Sequence, residues 1–284
     1  MTTPIQKKLI TAREAEAYIP PLEKFAGNFD IKEKLLRWLQ RPIEQDSNLL
    51  IEGKPGTGKT AIVQAYLREQ FKNPGFFQEA FLDKGAVCHN LKKSGSIEEI
   101  RQWQCGGRYF FTQINGATDT EQKIRSKLDD LTTAGLGFFE DRIATHMICV
   151  VDEVGELFFR GFEEALRPIM TEPGITTFAT AQNFHSKRKT DSFAEEDQRR
   201  IALLRRFTHR EKTQPPTKKE HFSFLLFLIS EWNLKIDEEK TLHLLVEKAS
   251  GVVGLSKRIL VQAIDAPGRR LTHDMVYNAD VDLI

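Results

Sequence analysis

The chain has 284 residues, of which 40% are hydrophobic and 29% are charged. This ordinary globular composition excludes a wholly disordered chain, and the length predicts one large domain or two modest ones. Lys and Arg number 41 and Asp and Glu number 40, so the formal net charge is +1. A charge this close to zero excludes a protein that binds nucleic acid or anionic membranes by bulk charge alone, although a local basic patch stays open.

Cysteine usage and the apolar runs indicate a protein of a reducing compartment. Three cysteines are too few for a disulfide scaffold. Cys149 lies in an apolar run and is predicted to fill the core, whereas the spacing of Cys88 and Cys105 fits no common zinc site. The N-terminus lacks the apolar core of a signal peptide, and the longest apolar run, residues 224–229, is too short to span a membrane. We expect a cytoplasmic protein with no membrane partner.

Predicted strands and helices alternate through most of the chain. Residues 1–20 are polar and mixed, and we interpret them as an N-terminal tail or docking arm. The predicted helices are 29–39, 60–71, 120–131 and 158–170, and the predicted strands are 49–51, 109–114, 147–151 and 175–181. Residues 72–107 are less regular and have the character of an insertion. This alternation is typical of an α/β domain with a parallel central sheet, which we assign to residues 21–214.

The pattern changes after Pro215-Pro216. Apolar residues then recur at helical spacing, and no further strand is predicted. The predicted helices are 217–231, 237–249, 255–264 and 272–278. We therefore predict a second, small all-α domain at residues 215–284.

A glycine-rich loop joins the strand at 49–51 to the helix that follows it. The run Gly53-Lys54-Pro55-Gly56-Thr57-Gly58-Lys59-Thr60 fits the phosphate-loop pattern G-x-x-x-x-G-K-[ST]. Its glycines let backbone N–H groups turn toward a phosphate, Lys59 can reach the β- and γ-phosphates, and the Thr60 hydroxyl can bind Mg²⁺. We assign ATP binding to Gly53, Pro55, Gly56, Thr57, Gly58, Lys59, Thr60 and Ala61.

Two carboxylates follow the apolar strand at 147–151. Asp152 and Glu153 come at its carboxyl end, which is the ligand-binding edge of an open parallel sheet. Asp152 is predicted to hold Mg²⁺ directly or through water, and Glu153 to act as the base that polarises the attacking water. Beside them, the end of the 175–181 strand offers Thr180, Gln182 and Asn183 as sensors of the γ-phosphate, and the sequence does not choose among the three.

Arginines downstream are candidates for stabilising charge on the γ-phosphate. Arg205 and Arg206 follow a helix-like stretch, and a guanidinium in such a place can act on a nucleotide held by another subunit. The wider segment 187–212 is basic, and by charge pattern alone a solvated surface explains it better. Arg258 lies on a helix of the second predicted domain and is a candidate to close over the nucleotide.

Together these residues resemble an AAA+ ATPase. The resemblance runs over about residues 22–265 and comprises the phosphate loop, Asp152-Glu153, a polar sensor strand, Arg205-Arg206-Phe207 and a helical lid containing Gly-x-Ser-Lys-Arg. Residues 48–63 and 202–207 are most similar to the first ATPase domain of Clp-type disaggregases and unfoldases. The resemblance implies that Arg205 and Arg206 are fingers acting in trans and that Arg258 is a second sensor. It also implies a ring or spiral, usually hexameric, with ATP between subunits.

The sequence departs from the Clp-type pattern at the position of the pore residue. Clp-type domains carry an aromatic side chain between the second strand and its following helix, and residues 114–120 contain none. A threading motor needs such a side chain to hold polypeptide. Ordinary unfoldase action is therefore not expected.

Three functions remain consistent with these residues. The first is an ATP-driven remodeller of a protein partner, which residues 1–20 or 72–107 would recruit. The second is a DNA-associated ATPase switch, such as a transposition regulator or a loader, with residues 187–212 and Lys92-Lys93 contacting phosphates. The third is a nucleotide-gated scaffold that hydrolyses slowly, against which the intact Glu153 argues.

Overall fold

The computed structural model describes residues 9–39, 48–71, 109–140, 146–171, 175–182 and 193–279. The chain divides into two compact units. The larger unit comprises residues 30–54 and 59–213, and the smaller comprises residues 1–29, 55–58 and 214–284. The segment 72–107, which the sequence marks as an insertion, lies outside the described residues.

The larger unit contains a five-stranded parallel sheet. Its strands are β1 (Leu49–Glu52), β2 (Tyr109–Asn115), β3 (His146–Asp152), β4 (Ile175–Ala181) and β5 (His209–Lys212), in the spatial order β2-β3-β4-β1-β5. Every position of β1 and β4 is buried, which explains why these strands are rich in apolar and β-branched residues. The predicted parallel α/β sheet is confirmed. Its edge strand β5 was not predicted, because a strand of alternating exposure with the sequence HREK has no apolar pattern.

Helices flank the sheet and form most of the smaller unit. In chain order they are α1 (Ala12–Glu16), α2 (Phe29–Leu39), α3 (Lys59–Phe71), α4 (Glu121–Glu140), α5 (Val154–Phe159), α6 (Glu163–Leu166), α7 (Phe193–Leu204), α8 (Lys218–Trp232), α9 (Glu239–Ala249), α10 (Val253–Asp265) and α11 (His273–Tyr277). The single helix predicted at 158–170 is wrong. Two short helices stand there, because Gly161, at φ +75°, turns the chain between them. Within the described residues, no helix is both long and apolar enough to cross a bilayer.

Both faces of the sheet are buried: Val150 and Phe178 lie on one face, and an apolar cluster that includes Cys149, Val151 and Ala179 lies on the other. Cys149 is buried and unbridged there, as predicted. Asn48 directly precedes β1. Its side chain accepts a hydrogen bond from the Thr177 N–H (2.9 Å) and donates one to the Arg206 carbonyl (3.1 Å). These two bonds join the starts of β1, β4 and β5, so they fix the amino-terminal edge of the sheet.

The smaller unit is built around its own apolar cluster. Trp232 at the end of α8, Leu245 on α9 and Leu260 on α10 are almost fully buried. A capping box of Thr217 and Glu220 begins α8. The unit is not purely helical, because Lys235–Ile236 and Arg270–Leu271 pair as two short parallel strands, β6 and β7. Segments of two residues are too short to leave a pattern in the sequence.

The N-terminal segment, interpreted from the sequence as a tail or arm, contains a helix from residue 12 in the part that the structure describes. Thr11 and Glu14 form a capping box at the start of α1, and the α1 residue Ala15 is buried. The ring of Tyr18 meets the ring of Trp232 edge-on, with 5.9 Å between centroids. From the other side, Arg269 donates to the carbonyl of Ile10 (2.9 Å). Residues 10–18 therefore pack against the helices of the smaller unit.

Lys257 on α10 fixes the end of α1. Its Nζ donates hydrogen bonds to the carbonyls of Glu16 (2.7 Å) and Tyr18 (2.8 Å). Burial lowers the pKa of Lys257 from its ordinary value of 10.5 to about 8, and the carboxylate of Glu16 opposes this shift. The Lys257 ammonium therefore binds the carbonyls at the end of α1, and it loses part of its hydration in doing so.

This half-buried lysine predicts a pH dependence of stability. The pKa of Lys257 is about 8 in the folded chain and 10.5 when unperturbed, so the unfolded chain binds more protons between these values. The contribution of Lys257 to the free energy of unfolding should therefore rise with pH across this window. We expect the difference in melting temperature between the wild type and Lys257→Met to change from pH 7 to pH 10. The matched change at the exposed Lys240 should give a flat difference, and a flat difference for Lys257 would contradict the shift.

Candidate functional site

The glycine-rich loop connects the end of β1 to the start of α3, as predicted. Gly56 and Gly58 adopt left-handed backbone angles, with φ of +71° and +83°, which other residues rarely adopt. Gly53 has a different role. A Cβ atom at this position would lie 1.7 Å from the Thr213 hydroxyl oxygen, so no side chain fits there. Thr213, the residue just after β5, therefore packs directly against the first residue of the loop.

Lys59 lies at the first residue of α3 with its side chain folded back over the loop. Its Nζ donates to the carbonyls of Gly53 (2.9 Å) and Lys54 (3.1 Å), and the residue is only 6% exposed. Burial lowers the pKa of the ammonium, and the carboxylates of Glu153 and Asp152 act in the opposite direction. A buried ammonium held only by carbonyls is a site to which an anionic ligand would add the missing negative charge.

Three oxygens meet beside this lysine. The Thr60 hydroxyl donates to Asp152 Oδ1 at 2.6 Å, and the Thr180 hydroxyl donates to the same oxygen. A hydroxyl and a carboxylate are ligands that suit Mg²⁺, which takes its remaining positions from phosphate and water. No group of three or more His, Cys, Asp or Glu able to hold a metal occurs in the part of the chain that the structure describes. Thr60 and Asp152 fit a magnesium ion that a nucleotide would bring with it.

Glu153 is held in a conformation unusual for its residue type. It has φ 55° and ψ 51°, in the left-handed region, and stands immediately before α5. Its N–H donates to the Thr180 hydroxyl at 3.2 Å, so the same hydroxyl supports both acidic residues. On the other side, the Gly116 N–H donates to the Asp152 carbonyl at 2.7 Å, and a Cβ on Gly116 would lie 2.3 Å from the Glu153 carbonyl oxygen. Contacts from two neighbouring strands therefore fix the direction of Glu153.

The sensor candidates at the end of β4 differ in their contacts. Thr180 is fully buried, and its hydroxyl is engaged by Asp152 and the Glu153 N–H. The Gln182 amide is exposed and donates to Glu153 Oε1 at 3.1 Å. Asn183 lies outside the described residues. Of the candidates described, only Gln182 touches the Glu153 carboxylate.

A closed turn, residues 116–119, follows β2 in the stretch where the Clp-type resemblance would place a pore residue. Asp119 accepts from the N–H of Asn115 (3.0 Å) and from Lys127 Nζ (2.7 Å), and it is almost fully buried. Arg160 donates to the carbonyls of Gly116 (2.6 Å) and Asp119 (2.8 Å). Burial alone would raise the pKa of Asp119, but hydrogen bonds from its lysine partners outweigh this and keep it below its ordinary value. The turn is short and fixed at both ends.

Arg205 and Arg206 lie far from Lys59 and Asp152 within the larger unit. They follow α7, and the Arg206 carbonyl accepts from Asn48, which precedes β1. Lys59 comes after the carboxyl end of β1, and Asp152 is the last residue of β3, at the opposite edge of the sheet. A strand rises about 3.3 Å per residue, so the four residues of β1 separate these two edges by more than about 10 Å. Arg205 is exposed and Arg206 is half-buried.

In the smaller unit, the start of α10 meets the glycine-rich loop. The Gly254 N–H donates to the Gly56 carbonyl at 3.0 Å, and a Cβ on Gly254 would come within 3.1 Å of Gly56. Arg258 is four residues later on the same helix and therefore lies on the same face as Gly254. It is exposed. The loop residue Thr57 has a further partner in this unit, since its carbonyl accepts from Asn28 Nδ2 at 2.8 Å.

The structure thus brings Gly53, Lys59, Thr60, Asp152, Glu153 and Thr180 together in the larger unit. Ala61 follows them in the first turn of α3. The sequence analysis missed Gly116 and Thr213, which support these residues, and Asn28, which contacts the loop residue Thr57. Gly27-Asn28 and Asn115-Gly116 are dipeptides typical of turns and left-handed backbone, and they are the signals that Asn28 and Gly116 left in the sequence.

Comparison with known proteins shows the fold alone. Neither a family model nor a curated protein matches the sequence. Among solved structures, domain III of the replication initiation protein DnaA from Thermotoga maritima is 15% identical with a TM-score of 0.56, covering 93% of this chain and 96% of its own. The RuvB P216G mutant from the same organism is 15% identical (TM-score 0.53; 92% and 72% covered), and the AAA domain of FIGL-1 with ADP is 17% identical (0.52; 89% and 81%). These similar structures are AAA+ ATPases.

Proposed function

From a fold that the chain shares with AAA+ ATPases, we propose that it binds ATP with Mg²⁺ and hydrolyses it. The observation that carries this proposal is the contact of Thr60 with Asp152 at 2.6 Å, beside the buried ammonium of Lys59. A hydroxyl, a carboxylate and an ammonium so arranged serve a magnesium-bound polyphosphate. Glu153, the next residue after Asp152, supplies a base at the same edge.

Each residue of this site has its own role in hydrolysis. Lys59 Nζ exchanges its carbonyl partners for oxygens of the β- and γ-phosphates. Thr60 and Asp152 would hold Mg²⁺, which when bound would neutralise charge on the phosphates. The Glu153 carboxylate orients a water and takes its proton as the water oxygen bonds to the γ-phosphorus and the bond to ADP breaks. Thr180 fixes the backbone of Glu153, and the Gln182 amide orients its carboxylate.

We propose that Arg205 and Arg206 act on the nucleotide of a neighbouring copy. Their separation from Lys59 and Asp152 across the sheet supports this, because they are at the wrong edge to serve their own chain. A guanidinium from the next subunit would stabilise charge developing on the γ-phosphate. We therefore propose a ring or spiral, with six subunits as the Clp-type resemblance implies. Arg258 is proposed to contact the nucleotide from the helical lid, since it shares a face with Gly254.

For the biological role, we propose ATP-driven remodelling of a protein partner in the cytoplasm. The closed turn at 116–119 has no aromatic side chain and is tied by Arg160 and Lys127, which argues against threading. Prying apart a complex requires no such side chain. Residues 1–20 or 72–107 are the segments proposed to recruit the partner.

A DNA-associated switch is the second candidate. The observation that favours it is the edge strand β5, on which Arg210 and Lys212 alternate with half-buried residues and are both exposed on one face. Basic side chains in a row on a sheet edge can contact successive phosphates, and such contacts make affinity depend steeply on salt. These residues belong to the basic segment 187–212.

The primary test replaces the lysine of the phosphate loop. Lys59→Ala should lose detectable binding of ATP and all magnesium-dependent turnover, because it removes the buried ammonium that contacts the loop carbonyls of Gly53 and Lys54. The matched variant Lys54→Ala removes an exposed lysine from the same loop and should retain both.

Wild-type turnover is then measured with and without double-stranded DNA at low and high salt. Strong, salt-sensitive stimulation by DNA would favour the DNA switch, whereas a rate unchanged by DNA would favour the protein remodeller. Equal ATP turnover by Lys59→Ala and wild type would refute the proposed nucleotide site.

A further inference from the structure

Asn28 connects two segments that the sequence motif does not relate. It is 1% exposed and adopts a left-handed conformation with φ 51°. Its side-chain Nδ2 donates to the Thr57 carbonyl at 2.8 Å, while its Oδ1 accepts from the Gln214 N–H at 2.8 Å. Its own N–H donates to the Gln214 carbonyl at 2.9 Å. One side chain thus bridges the middle of the phosphate loop and the chain that leads into α8.

The chemistry of these contacts determines which way the amide faces. The Gln214 N–H is a donor and needs an acceptor, so Oδ1 must face it and Nδ2 must face the Thr57 carbonyl. Asparagine is one of the few residue types that supplies both groups and tolerates left-handed backbone. The preceding position admits no side chain, because a Cβ on Gly27 would lie 2.5 Å from the Gln214 carbonyl oxygen. This corner is specific for Gly-Asn.

The contact at Thr57 has a consequence for the loop's donors. Thr57 stands between Gly56 and Gly58, both at positive φ, where the backbone is least restrained by side chains. The Thr57 carbonyl and the Gly58 N–H belong to one rigid peptide plane and point in opposite directions. Holding the carbonyl toward Asn28 therefore turns the Gly58 N–H away from it. Backbone N–H groups of this loop are the donors that hold phosphate.

We propose that Asn28 is a positioning residue that sets the phosphate loop for nucleotide and ties it to Gln214. The inference rests on the proposed function, namely that this loop binds ATP. Asn28 does not touch the reacting atoms. It fixes the peptide between Thr57 and Gly58 before the nucleotide arrives, so that less ordering of the loop accompanies binding.

Two substitutions test this role in the full-length chain. Asn28→Asp keeps an acceptor for Gln214 and tolerates the left-handed backbone, but it removes the donor to Thr57. Asn28→Gly is uncharged, tolerates φ 51° and removes both side-chain bonds. We expect each to weaken ADP binding about tenfold or more and to raise KM for ATP similarly, while kcat at saturating ATP stays within about threefold.

The chain offers a matched control in Asn48. It is also a buried asparagine whose Oδ1 accepts from a backbone N–H and whose Nδ2 donates to a carbonyl, but it lies at the opposite end of β1. Asn48→Asp should lower the melting temperature without changing ADP affinity. A loss of ADP affinity in Asn48→Asp equal to that in Asn28→Asp would reduce Asn28 to a general structural role and overturn the proposal.

The remaining outcomes separate this inference from the function on which it rests. Wild-type chain that binds no ADP would remove the proposed function. Wild type that binds ADP, with Lys59→Ala that does not, would leave the function intact and isolate the question of Asn28. In that case, Asn28→Gly with wild-type ADP affinity would overturn the positioning role, even if Asn28→Asp were weakened by its new charge. Loss in both Asn28 variants, with Asn48→Asp unaffected, is the result we expect.

Discussion

Replacing Glu153 by Gln should stop ATP hydrolysis and leave ATP binding intact. The amide keeps the shape of the side chain and its contact with Gln182, but it cannot accept a proton from water. General-base catalysis contributes on the order of 10²–10⁴ in rate, so turnover should fall by at least about a hundredfold. The measurement is steady-state phosphate release at saturating ATP, together with the affinity for ATP by titration.

Glu156 provides the control for this experiment. It is an exposed glutamate in the first turn of α5, three residues from Glu153, and Glu156→Gln should hydrolyse ATP at the wild-type rate. If Glu153→Gln turned over ATP as fast as wild type, Glu153 would not be the base. A wild-type rate that is already as low as that of Glu153→Gln would instead favour the slow, nucleotide-gated scaffold.

Replacing Arg205 by Ala should lower turnover about 10³-fold, the usual contribution of an arginine acting on a transferring phosphoryl group. ATP affinity of the isolated subunit should not change, because Arg205 lies at the opposite edge of the sheet from Asp152. The exposed Arg167, paired with Glu164 on the surface, gives a matched variant, Arg167→Ala, with expected wild-type turnover.

Mixing the two inactive variants tests whether Arg205 acts between subunits. An interface formed by an Arg205→Ala subunit that holds the nucleotide and a Glu153→Gln subunit that offers its arginine contains one intact copy of each group. A mixture should therefore regain part of the activity that either variant lacks. Mixed assemblies with no recovered turnover would show that Arg205 serves its own chain or has no catalytic role.

Burial explains which parts of the fold could be predicted from the sequence. The strands at 49–52, 146–152 and 175–181 lie inside the sheet and consist mainly of apolar and β-branched residues, so their sequences identify them. β5 lies at the edge and all four of its residues are polar or charged, so no apolar pattern marks it. The helix predicted at 158–170 failed because a single glycine, Gly161, takes a positive φ that the apolar periodicity does not reveal.

The candidate site shows a similar division. Lys59, Thr60, Asp152 and Glu153 act through side chains whose type and spacing are constrained by phosphate chemistry, so a motif records them. Gly116 and Thr213 act through close backbone approach to residues distant in sequence, and that approach depends on how strands align. Such contacts carry no local pattern and become visible only when the sheet is assembled.

The order of the strands also bears on how the chain is made. β1 lies between β4 and β5, although β4 begins at Ile175 and β5 ends at Lys212, far downstream of Leu49. Contacts so distant in sequence form slowly, because a long loop must close before they stabilise the chain. During synthesis, the strand that leads into Gly53 therefore has neither neighbour until β4 and β5 have been made, more than a hundred residues later. An emerging chain exposes Leu49, Leu50 and Ile51 throughout that interval, and it can complete its phosphate loop only after these strands have paired with β1.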